Sequence, residues 1–174
     1  WTVVDVKATA LNHHDLWSLR GVGLRAEQLP MILGTDAAGV DEDGNDVVIH
    51  AVIADPARGG GDETFDPKRS LLSEVYNGTL AEKVTVPRRN LVHKPESLSF
   101  EQAACLPTAW LTAYRMLVTR AHIVDGEWAL IWGIGGGVAT AAFEICHTLG
   151  VHTIVTSGSD RKLERAREWG ADVV

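Results

Sequence analysis

The segment 128–139 constrains the fold of this chain more than any other. A continuous apolar run at 128–132 stops at clustered glycines, after which apolar residues return with helical spacing. Buried parallel strands have continuous apolar runs, and glycines permit a tight turn from which the next helix presents unpaired N–H groups to a pyrophosphate. The segment therefore predicts a strand, a phosphate-binding turn and a helix, with an ordinary glycine-rich turn as the alternative. The candidate phosphate-binding residues are Gly133, Gly135, Gly136, Gly137 and Val138.

The residues beyond this turn continue the same pattern. Helical spacing extends over 138–149, and a β-branched strand is predicted at 153–156. A second helix is predicted over 162–169, with Ser159 or Asp160 as its cap. Both helices are followed by a glycine, which favours their termination. Together these elements form a βαβα unit, in which ligands bind at the carboxyl ends of the strands.

The tip of the second predicted strand indicates which nucleotide is bound. Domains that prefer NAD place a carboxylate there for the ribose hydroxyls, whereas a small residue with nearby cations leaves room for a 2′-phosphate. Ser157 occupies this position, and Arg161 and Lys162 follow it closely. The pattern favours NADP(H) over NAD(H), with an ordinary solvated helix face as the alternative interpretation of the two cations.

The first part of the chain, 1–95, is rich in strand patterns. Apolar and polar residues alternate along the first ten residues, and further strand-like runs occupy 47–53 and 81–87. The Asp-Gly pair at 43–44 is a strong hairpin signal. The polar insertion at 57–77 contains three consecutive glycines, and we predict that it forms a mobile surface lobe.

A helical bridge is predicted after the β-rich part. Ser99 and Gln102 form a capping box that starts a helix, Pro107 interrupts it, and helical spacing resumes over 108–120. The predicted organisation is a β-rich domain at 1–95, a bridge at 96–124 and a nucleotide-binding domain at 125–174.

Composition and charge narrow the classes of partner. The chain has 174 residues, of which 45% are hydrophobic, and this is enough to form packed cores in one or two domains. A formal net charge of −7 without a long basic run argues against nucleic acid and membrane surfaces as partners. We expect a cytoplasmic protein. Cys105 and Cys146 are expected to be buried rather than redox-active.

Both ends of the sequence carry incomplete patterns. The first residue already lies within the alternating strand pattern, and residues 171–174 have the pattern of a third strand of the nucleotide-binding domain. Two or three parallel strands would leave apolar surface uncovered. We therefore expect the chain to be a fragment of a longer enzyme.

Six motifs along the chain form one ordered set. They are Asn-His-His-Asp at 12–15, Ile-Leu-Gly-Thr-Asp-Ala-Ala-Gly-Val at 32–40, Gly-Thr-Leu-Ala-Glu-Lys at 78–83, Leu-Pro-Thr-Ala-Trp-Leu-Thr-Ala-Tyr at 106–114, the glycine turn, and Thr-Ser-Gly-Ser-Asp at 156–160. In this order they resemble the medium-chain dehydrogenase/reductase superfamily. The resemblance implies an α/β chain with a GroES-like β-rich catalytic domain, followed by a Rossmann domain whose doubly wound parallel sheet is truncated. It also implies hydride transfer from a nicotinamide and assembly into homodimers or homotetramers.

The expected zinc ligands of that superfamily are missing. In its alcohol dehydrogenase branch, catalytic zinc is held at the positions that match Asn12, Thr35 and Thr108, none of which provides a thiolate or an imidazole. The lobe for structural zinc matches 57–77, which contains no cysteine. We predict that both metals are absent. The chain therefore looks most similar to the zinc-independent quinone oxidoreductases and related enoyl and alkenal reductases.

Zinc-free reduction assigns candidate roles to four polar residues. Hydride addition to a conjugated carbonyl requires hydrogen-bond donors at the oxygen and a source of a proton. By resemblance, Asn12 and Thr112 lie near the nicotinamide, and His14 takes the place of the proton relay. Asn12 and His14 are the catalytic candidates, while His13 and Thr112 are cofactor-binding candidates. The alternative for the histidines is that one faces a phosphate or solvent and the other makes a structural hydrogen bond.

The predicted function is a zinc-independent oxidoreductase that transfers a hydride from NADPH to a quinone or to an activated alkene or carbonyl. Its substrate is expected to be a small molecule. The alternative is a catalytically idle nucleotide-binding homologue or an inactive fragment. Asp15 and Asp36 are expected to be architectural. Four tryptophans are expected to line the core or a cleft, namely Trp17, Trp110, Trp128 and Trp132.

Overall fold

The computed structural model describes all 174 residues and divides the chain into two compact units, Trp1–Thr108 and Ala109–Val174. The division falls within the predicted bridge at 96–124. None of the helices is both long enough and apolar enough to cross a lipid bilayer.

The first unit contains seven strands. They are β1 (Thr2–Ala10), β2 (Asp36–Asp41), β3 (Asp46–Ile49), β4 (Val52–Ile53), β5 (Ser70–Leu71), β6 (Lys83–Val86) and β7 (Leu91–His93). Five of these strands form an antiparallel sheet in the order β6-β1-β2-β3-β7, and β4 pairs with β5. The predicted run at 47–53 is therefore divided between two sheets, because the chain leaves the large sheet after β3.

The large sheet is held in register by its turns and by one glycine. The predicted Asp-Gly hairpin joins β2 to β3, and Gly44 has a φ of +85°, which glycine adopts readily. At Gly39 a Cβ would lie 2.2 Å from the carbonyl oxygen of Asp5, so this point of β2 accepts no side chain. One core cluster of the unit consists of Val4, Ala37, Val47, Ile49, Ile53, Leu72, Val84 and Val86.

Two α-helices complete the first unit, α1 (His13–Leu19) and α2 (Phe100–Ala104). The predicted capping box at Ser99 is confirmed, since its side chain accepts a hydrogen bond from the backbone N–H of Gln102 at 3.3 Å. Cys105, at the end of α2, is exposed, so its predicted burial is wrong. Position 105 lies just beyond the buried face formed by Ala103 and Ala104.

The insertion at 57–77 is not simply a surface lobe. It contains β5, and three of its residues are fully buried, namely Asp66, Leu72 and Ser73. Leu72 belongs to the core cluster because its backbone N–H bonds to the carbonyl of Ala51, which draws the segment onto the sheet. The prediction of a surface lobe is therefore wrong for the second half of the insertion.

A continuous series of helical turns follows α2 along the chain. Wide turns at Leu106–Trp110 and Arg115–Arg120 flank the single regular turn of α3 (Leu111–Tyr114). Pro107 lies in the first wide turn, where its lack of an N–H prevents a regular helical hydrogen bond. The interruption predicted at this proline is therefore a change of helical geometry, and the chain stays helical through it.

The second unit contains the predicted βαβα pattern. Its elements are β8 (Trp128–Ile131), α4 (Gly137–Thr148), β9 (His152–Val155) and α5 (Asp160–Glu168). β8 and β9 are parallel, and Val173 forms a parallel bridge with Ile154, which confirms that a third strand begins at the end of the sequence. Phe143 of α4 and Ala166 of α5 pack on the same core as Ile131 and Val155, so both helices cover one face of the strands.

The opposite face of β8 is open. Trp128 and Leu130 are 55% and 61% exposed, whereas Ala129 and Ile131 between them are buried. The continuous apolar run is thus covered on one side only, as expected for a sheet with few strands. Trp132 is 82% exposed, and Trp17 and Trp110 are exposed as well, so these tryptophans do not lie in the core, and their predicted alternative place in the wall of a cleft stays a prediction. Cys146 is buried as predicted, and this burial raises the pKa of its thiol.

Candidate functional site

Four polar residues of the first unit form a hydrogen-bonded group, which we call the Asp36 cluster: Asn12, Thr35, Asp36 and Thr108. The amide nitrogen of Asn12 donates to Thr35 Oγ1 at 3.2 Å, and Thr35 Oγ1 lies 3.1 Å from Thr108 Oγ1. Thr108 Oγ1 donates to Asp36 Oδ1 at 2.5 Å. The three positions that match the catalytic zinc ligands are thus brought together, although they are far apart in sequence.

Local structure fixes each member of the cluster. Asn12 immediately precedes α1, and its backbone N–H donates to the Asp15 carboxylate at 2.7 Å. Gly34, with a φ of +101°, turns the chain into β2, where Thr79 Oγ1 donates to the Asp36 carbonyl oxygen at 3.0 Å. A Cβ on Gly78 of the third motif would lie 2.3 Å from the carbonyl oxygen of Gly34, so the glycines of the two motifs permit close backbone packing beside the cluster.

Asp36 is the only acid in the cluster, and it is 1% exposed. Burial raises its pKa, because a charged carboxylate is poorly solvated there, while hydrogen bonds from Thr108, Asn12 and Thr35 oppose this rise. Its partners are all neutral, so no cation balances the charge. Asp36 was expected to be architectural, and the structure places it at the centre of the candidate site.

The donor set of the Asp36 cluster does not fit zinc. Zinc sites in proteins use thiolate, imidazole and carboxylate ligands, whereas the matching positions here carry one amide and two hydroxyls. No group of three or more His, Cys, Asp or Glu side chains with the spacing of a metal site occurs in the chain. The segment 57–77 likewise has no cysteine.

His14 lies beside the cluster on α1 and is bound on both ring nitrogens. Nε2 lies 3.3 Å from Glu74 Oε1, and Nδ1 lies 3.4 Å from Ser73 Oγ. Nδ1 is also 3.9 Å from Asp15 Oδ1, a buried oxygen without a hydrogen bond. Glu74 and Ser73 were missed by the sequence analysis, because they lie about sixty residues away in a segment without a motif.

His13 differs from its neighbour. It is exposed at the start of α1 and makes no hydrogen bond or ion pair. The two histidines thus divide as the alternative interpretation describes, with one toward solvent and the other hydrogen-bonded. The structure leaves His13 available to a ligand but does not group it with the Asp36 cluster.

The glycine turn of the second unit has the expected shape. Gly133 and Gly135 have φ values of +77° and +108°, which other residues rarely adopt. The Gly133 N–H donates to Thr156 Oγ1 at 3.0 Å, and this bond ties the turn to the end of β9. Gly136 caps α4 without any side-chain hydrogen bond, so no side chain occupies the N–H groups of the first helical turn.

Two further contacts shape this turn. The Nζ of Lys162 lies 3.1 Å from the position that a Cβ on Gly135 would take, so the ammonium group sits directly against the turn. Ala109 Cβ lies equally close to the corresponding position on Gly137, which brings the preceding helical turns against the start of α4. The structure therefore groups Lys162 with the predicted phosphate-binding glycines.

The remaining candidates of the second unit lie on its surface. Ser157 is partly buried, and its hydroxyl accepts a hydrogen bond from the Ser159 N–H at 3.1 Å. Arg161 is exposed on the first turn of α5, and Thr112 is exposed on α3. Val138 is partly buried in the first turn of α4.

Comparison with known proteins gives one family match. Residues 1–96 match the family model described as the alcohol dehydrogenase GroES-like domain. A zinc-type alcohol dehydrogenase-like protein of Schizosaccharomyces pombe is 35% identical over 180 residues, which cover 97% of this chain and 51% of that protein.

Two solved structures show the same fold. The crystal structure of an NAD-dependent alcohol dehydrogenase superposes with a TM-score of 0.86 at 36% identity, covering 99% of this chain and 54% of that chain. The quinone oxidoreductase of Thermus thermophilus, solved alone and with NADPH, gives a TM-score of 0.74 at 29% identity over 99% and 50% of the two chains. The chain thus spans about half the length of the proteins that it matches.

Proposed function

Because this chain belongs to the family of alcohol dehydrogenase GroES-like domains, we propose that it is part of a zinc-independent oxidoreductase that transfers a hydride from NADPH to a quinone or to an activated alkene or carbonyl. The resemblance to the medium-chain dehydrogenase/reductase superfamily is confirmed, as is the α/β fold with a GroES-like first part. The proposed second part is the beginning of a Rossmann domain.

The observation that carries the proposal is the Asp36 cluster. Its amide and hydroxyl groups stand where the zinc branch has its ligands, and they are hydrogen-bonded to one another and to a buried carboxylate. Such a site offers hydrogen bonds to an oxygen, but it offers no ligand set for a Lewis-acid metal. Reduction of a conjugated carbonyl requires hydrogen bonds to the carbonyl oxygen and does not require a metal.

Asn12 is the member of the cluster assigned to the ligand. An amide has two N–H donors and one acceptor, and this amide nitrogen is directed at Thr35 and also hydrogen-bonds the Asp36 carboxylate. A carbonyl or carboxamide oxygen of the ligand would share or displace the hydrogen bond to Asp36. Thr35 and Thr108 act behind it, because their hydroxyls are bound to each other and to Asp36.

His14 is assigned the proton that completes the reduction. Carboxylate oxygens of Glu74 and Asp15 lie 3.3 and 3.9 Å from its two ring nitrogens, so a protonated ring would face an acid on each side. Histidine exchanges protons near neutral pH, as a general acid requires. The proton delivered to the product would be replaced from solvent, since the ring is partly exposed.

The glycine turn and its surroundings fit a dinucleotide phosphate. The first turn of α4 presents N–H groups without a side-chain cap, Gly133 and Gly136 have open space where a side chain would stand, and Lys162 supplies a cation. When bound, NADPH would supply the hydride. Ser157 and Arg161 are assigned to the 2′-phosphate, His13 to a cofactor phosphate and Thr112 to the nicotinamide end.

Nucleotide binding and reduction are tested in two steps. Thermal stabilisation of the chain by NADPH, exceeding that by NADH, is expected, and Ser157→Asp is expected to reverse this order. NADPH oxidation is then followed with quinones, enals and enones, and His14→Gln should lower kcat with little change in NADPH affinity. Binding without turnover of any substrate would favour an idle nucleotide-binding homologue, and the absence of NADPH binding would refute the proposal.

A further inference from the structure

Asp66 is a buried carboxylate of the first unit whose two oxygens are both hydrogen-bonded. It is fully buried, and its two oxygens accept four hydrogen bonds. Two come from Arg58, from Nε at 3.0 Å and from Nη2 at 2.7 Å. The others come from the backbone N–H groups of Asp55 at 2.7 Å and Lys68 at 2.8 Å. The Arg58 hydrogen bonds hold the pKa of Asp66 well below its usual range, so it is ionised at neutral pH.

These bonds close the neck of a long loop. β4 and β5 pair with each other, and the chain between them, 54–69, leaves the sheet and returns. Asp55 stands at the departure of this loop and Asp66 near its return, so the bond from the Asp55 N–H to Asp66 joins the two ends. Arg58 reinforces the closure, because its Nη1 also donates to Asp55 Oδ2 at 3.2 Å.

The partners of His14 follow directly after this neck. Leu72 is buried in the core, Ser73 is fully buried with a φ of +68°, and Glu74 ends the turn. Glu74 is held by the Leu71 N–H at 3.4 Å and by Gln28, whose amide donates to the Glu74 carbonyl at 2.6 Å. The contacts of His14 thus depend on the turn at 72–74, which directly follows β5. Because β5 begins four residues after Asp66, the position of Asp66 affects the direction in which the chain enters this turn.

We propose that Asp66 and Arg58 are positioning residues that close the 54–69 loop and thereby hold Ser73 and Glu74 against the imidazole of His14. They touch neither the Asp36 cluster nor the ring itself, and they act through β5. The effect of Asp66 and Arg58 on catalysis rests on the proposed function. Their effect on the hydrogen bonds of the His14 ring does not. The hydrogen bonds between Arg58 and Asp66 also hold together the cysteine-free segment 57–77 without a metal ion.

The test uses Arg58→Ala, in which the exposed partner is truncated and the buried one is kept. The matched control is Arg88→Ala, which removes an exposed arginine paired with Asp43 at the β2–β3 hairpin, away from His14. The ¹⁵N resonances of the His14 ring, assigned by comparison with His14→Gln, are expected to shift in Arg58→Ala and to stay unchanged in Arg88→Ala. Arg58→Lys, which retains the charge but not the bidentate geometry, should give an intermediate shift.

A second readout measures the proposed reaction. We expect kcat to fall roughly tenfold in Arg58→Ala, with KM for NADPH within about twofold and partial recovery in Arg58→Lys. A folded Arg58→Ala protein with the His14 resonances of the wild type would overturn the positioning role. If Arg58→Ala does not fold, Arg58→Lys decides the question by the same resonances. A wild-type chain without NADPH turnover would count against the proposed function alone, since the resonances still report on the ring.

Discussion

The hydroxyl of Thr108 donates a hydrogen bond of 2.5 Å to the carboxylate of Asp36, which lies 72 residues earlier in the chain. The Thr108 backbone N–H donates to the other oxygen of the same carboxylate at 3.3 Å. The start of the helical segment is therefore fastened to β2 at the point where Asn12 and Thr35 also meet. This relationship turns three separate motifs into one site.

Removal of the Thr108 hydroxyl should destabilise the first unit. Thr108→Val keeps the shape of the side chain but deprives a buried carboxylate of its shortest hydrogen bond, at a cost of about 1–3 kcal/mol. Urea denaturation followed by circular dichroism measures this cost. Thr9→Val is the control, because Thr9 is exposed on β1 and has no side-chain hydrogen bond, so its stability should match that of the wild type. Equal stability of the two variants would contradict the assigned role of Thr108.

The two buried acids should give stability opposite dependences on pH. The pKa of Asp36 is raised above its ordinary 3.8, so the folded state binds the proton more tightly, and stability falls as pH rises from 3.8 through the raised value. The pKa of Asp66 is lowered, so its contribution is present above 3.8 and is lost as pH falls toward the folded value.

Denaturation curves at several pH values test these signs. Relative to the wild type, Asp36→Asn should gain stability as pH rises above 3.8, whereas the deficit of Asp66→Asn should shrink as pH falls below 3.8. If the free energy of unfolding changed with pH in the same way for the wild type and both variants, the raised pKa of Asp36 and the lowered pKa of Asp66 would both be contradicted.

A pair of neighbouring glycines separates folding from nucleotide binding. Gly135→Ala places a side chain at a φ of +108° and against Lys162, so a loss of about 1–2 kcal/mol is expected in denaturation experiments. Gly136 has an ordinary φ and no protein atom within 4 Å of an added Cβ, so Gly136→Ala should cost less stability than Gly135→Ala, because only the preference for glycine over alanine at a helix N-cap is lost. We expect the same variant to weaken NADPH binding in calorimetry, because only a ligand would meet its methyl group. If the NADPH affinity of Gly136→Ala equalled that of the wild type, the proposal that this turn binds a phosphate of NADPH would be contradicted.

Zinc chelation should have no effect on the chain. The Asp36 cluster offers only amide and hydroxyl groups at the matching positions, and 57–77 has no thiolate, so neither site fits zinc. The melting temperature after dialysis against EDTA is therefore expected to equal that of the untreated protein. Added zinc should not raise it either. Stoichiometric zinc in elemental analysis, with a lower melting temperature after its removal, would contradict the zinc-independent proposal.

Several elements could be predicted because their signals are local. The Ser99 cap, the Asp-Gly hairpin at Gly44 and the βαβα pattern of the second unit each depend on residues within a few positions of one another. Burial was predicted less well. Trp128 and Cys105 are apolar residues in regular patterns, yet they lie on exposed faces, because apolarity alone does not state which face another element covers.

The sequence by itself determined the start of α2, the β2–β3 hairpin and the βαβα pattern, which family the chain belongs to, and that the expected zinc ligands are replaced by an amide and two hydroxyls. Only the tertiary structure decided that these groups converge on the buried Asp36, that Ser73 and Glu74 hold His14, and that Arg58 and Asp66 close the loop before them. The physical reason is the range of the interactions. Periodicity and capping are set by near neighbours, whereas the hydrogen bonds that join Thr35 to Thr108 and His14 to Ser73 span 73 and 59 residues and exist only once distant segments have been brought together. Arg58 and Asp66 are only eight residues apart, but no periodicity or capping pattern links them.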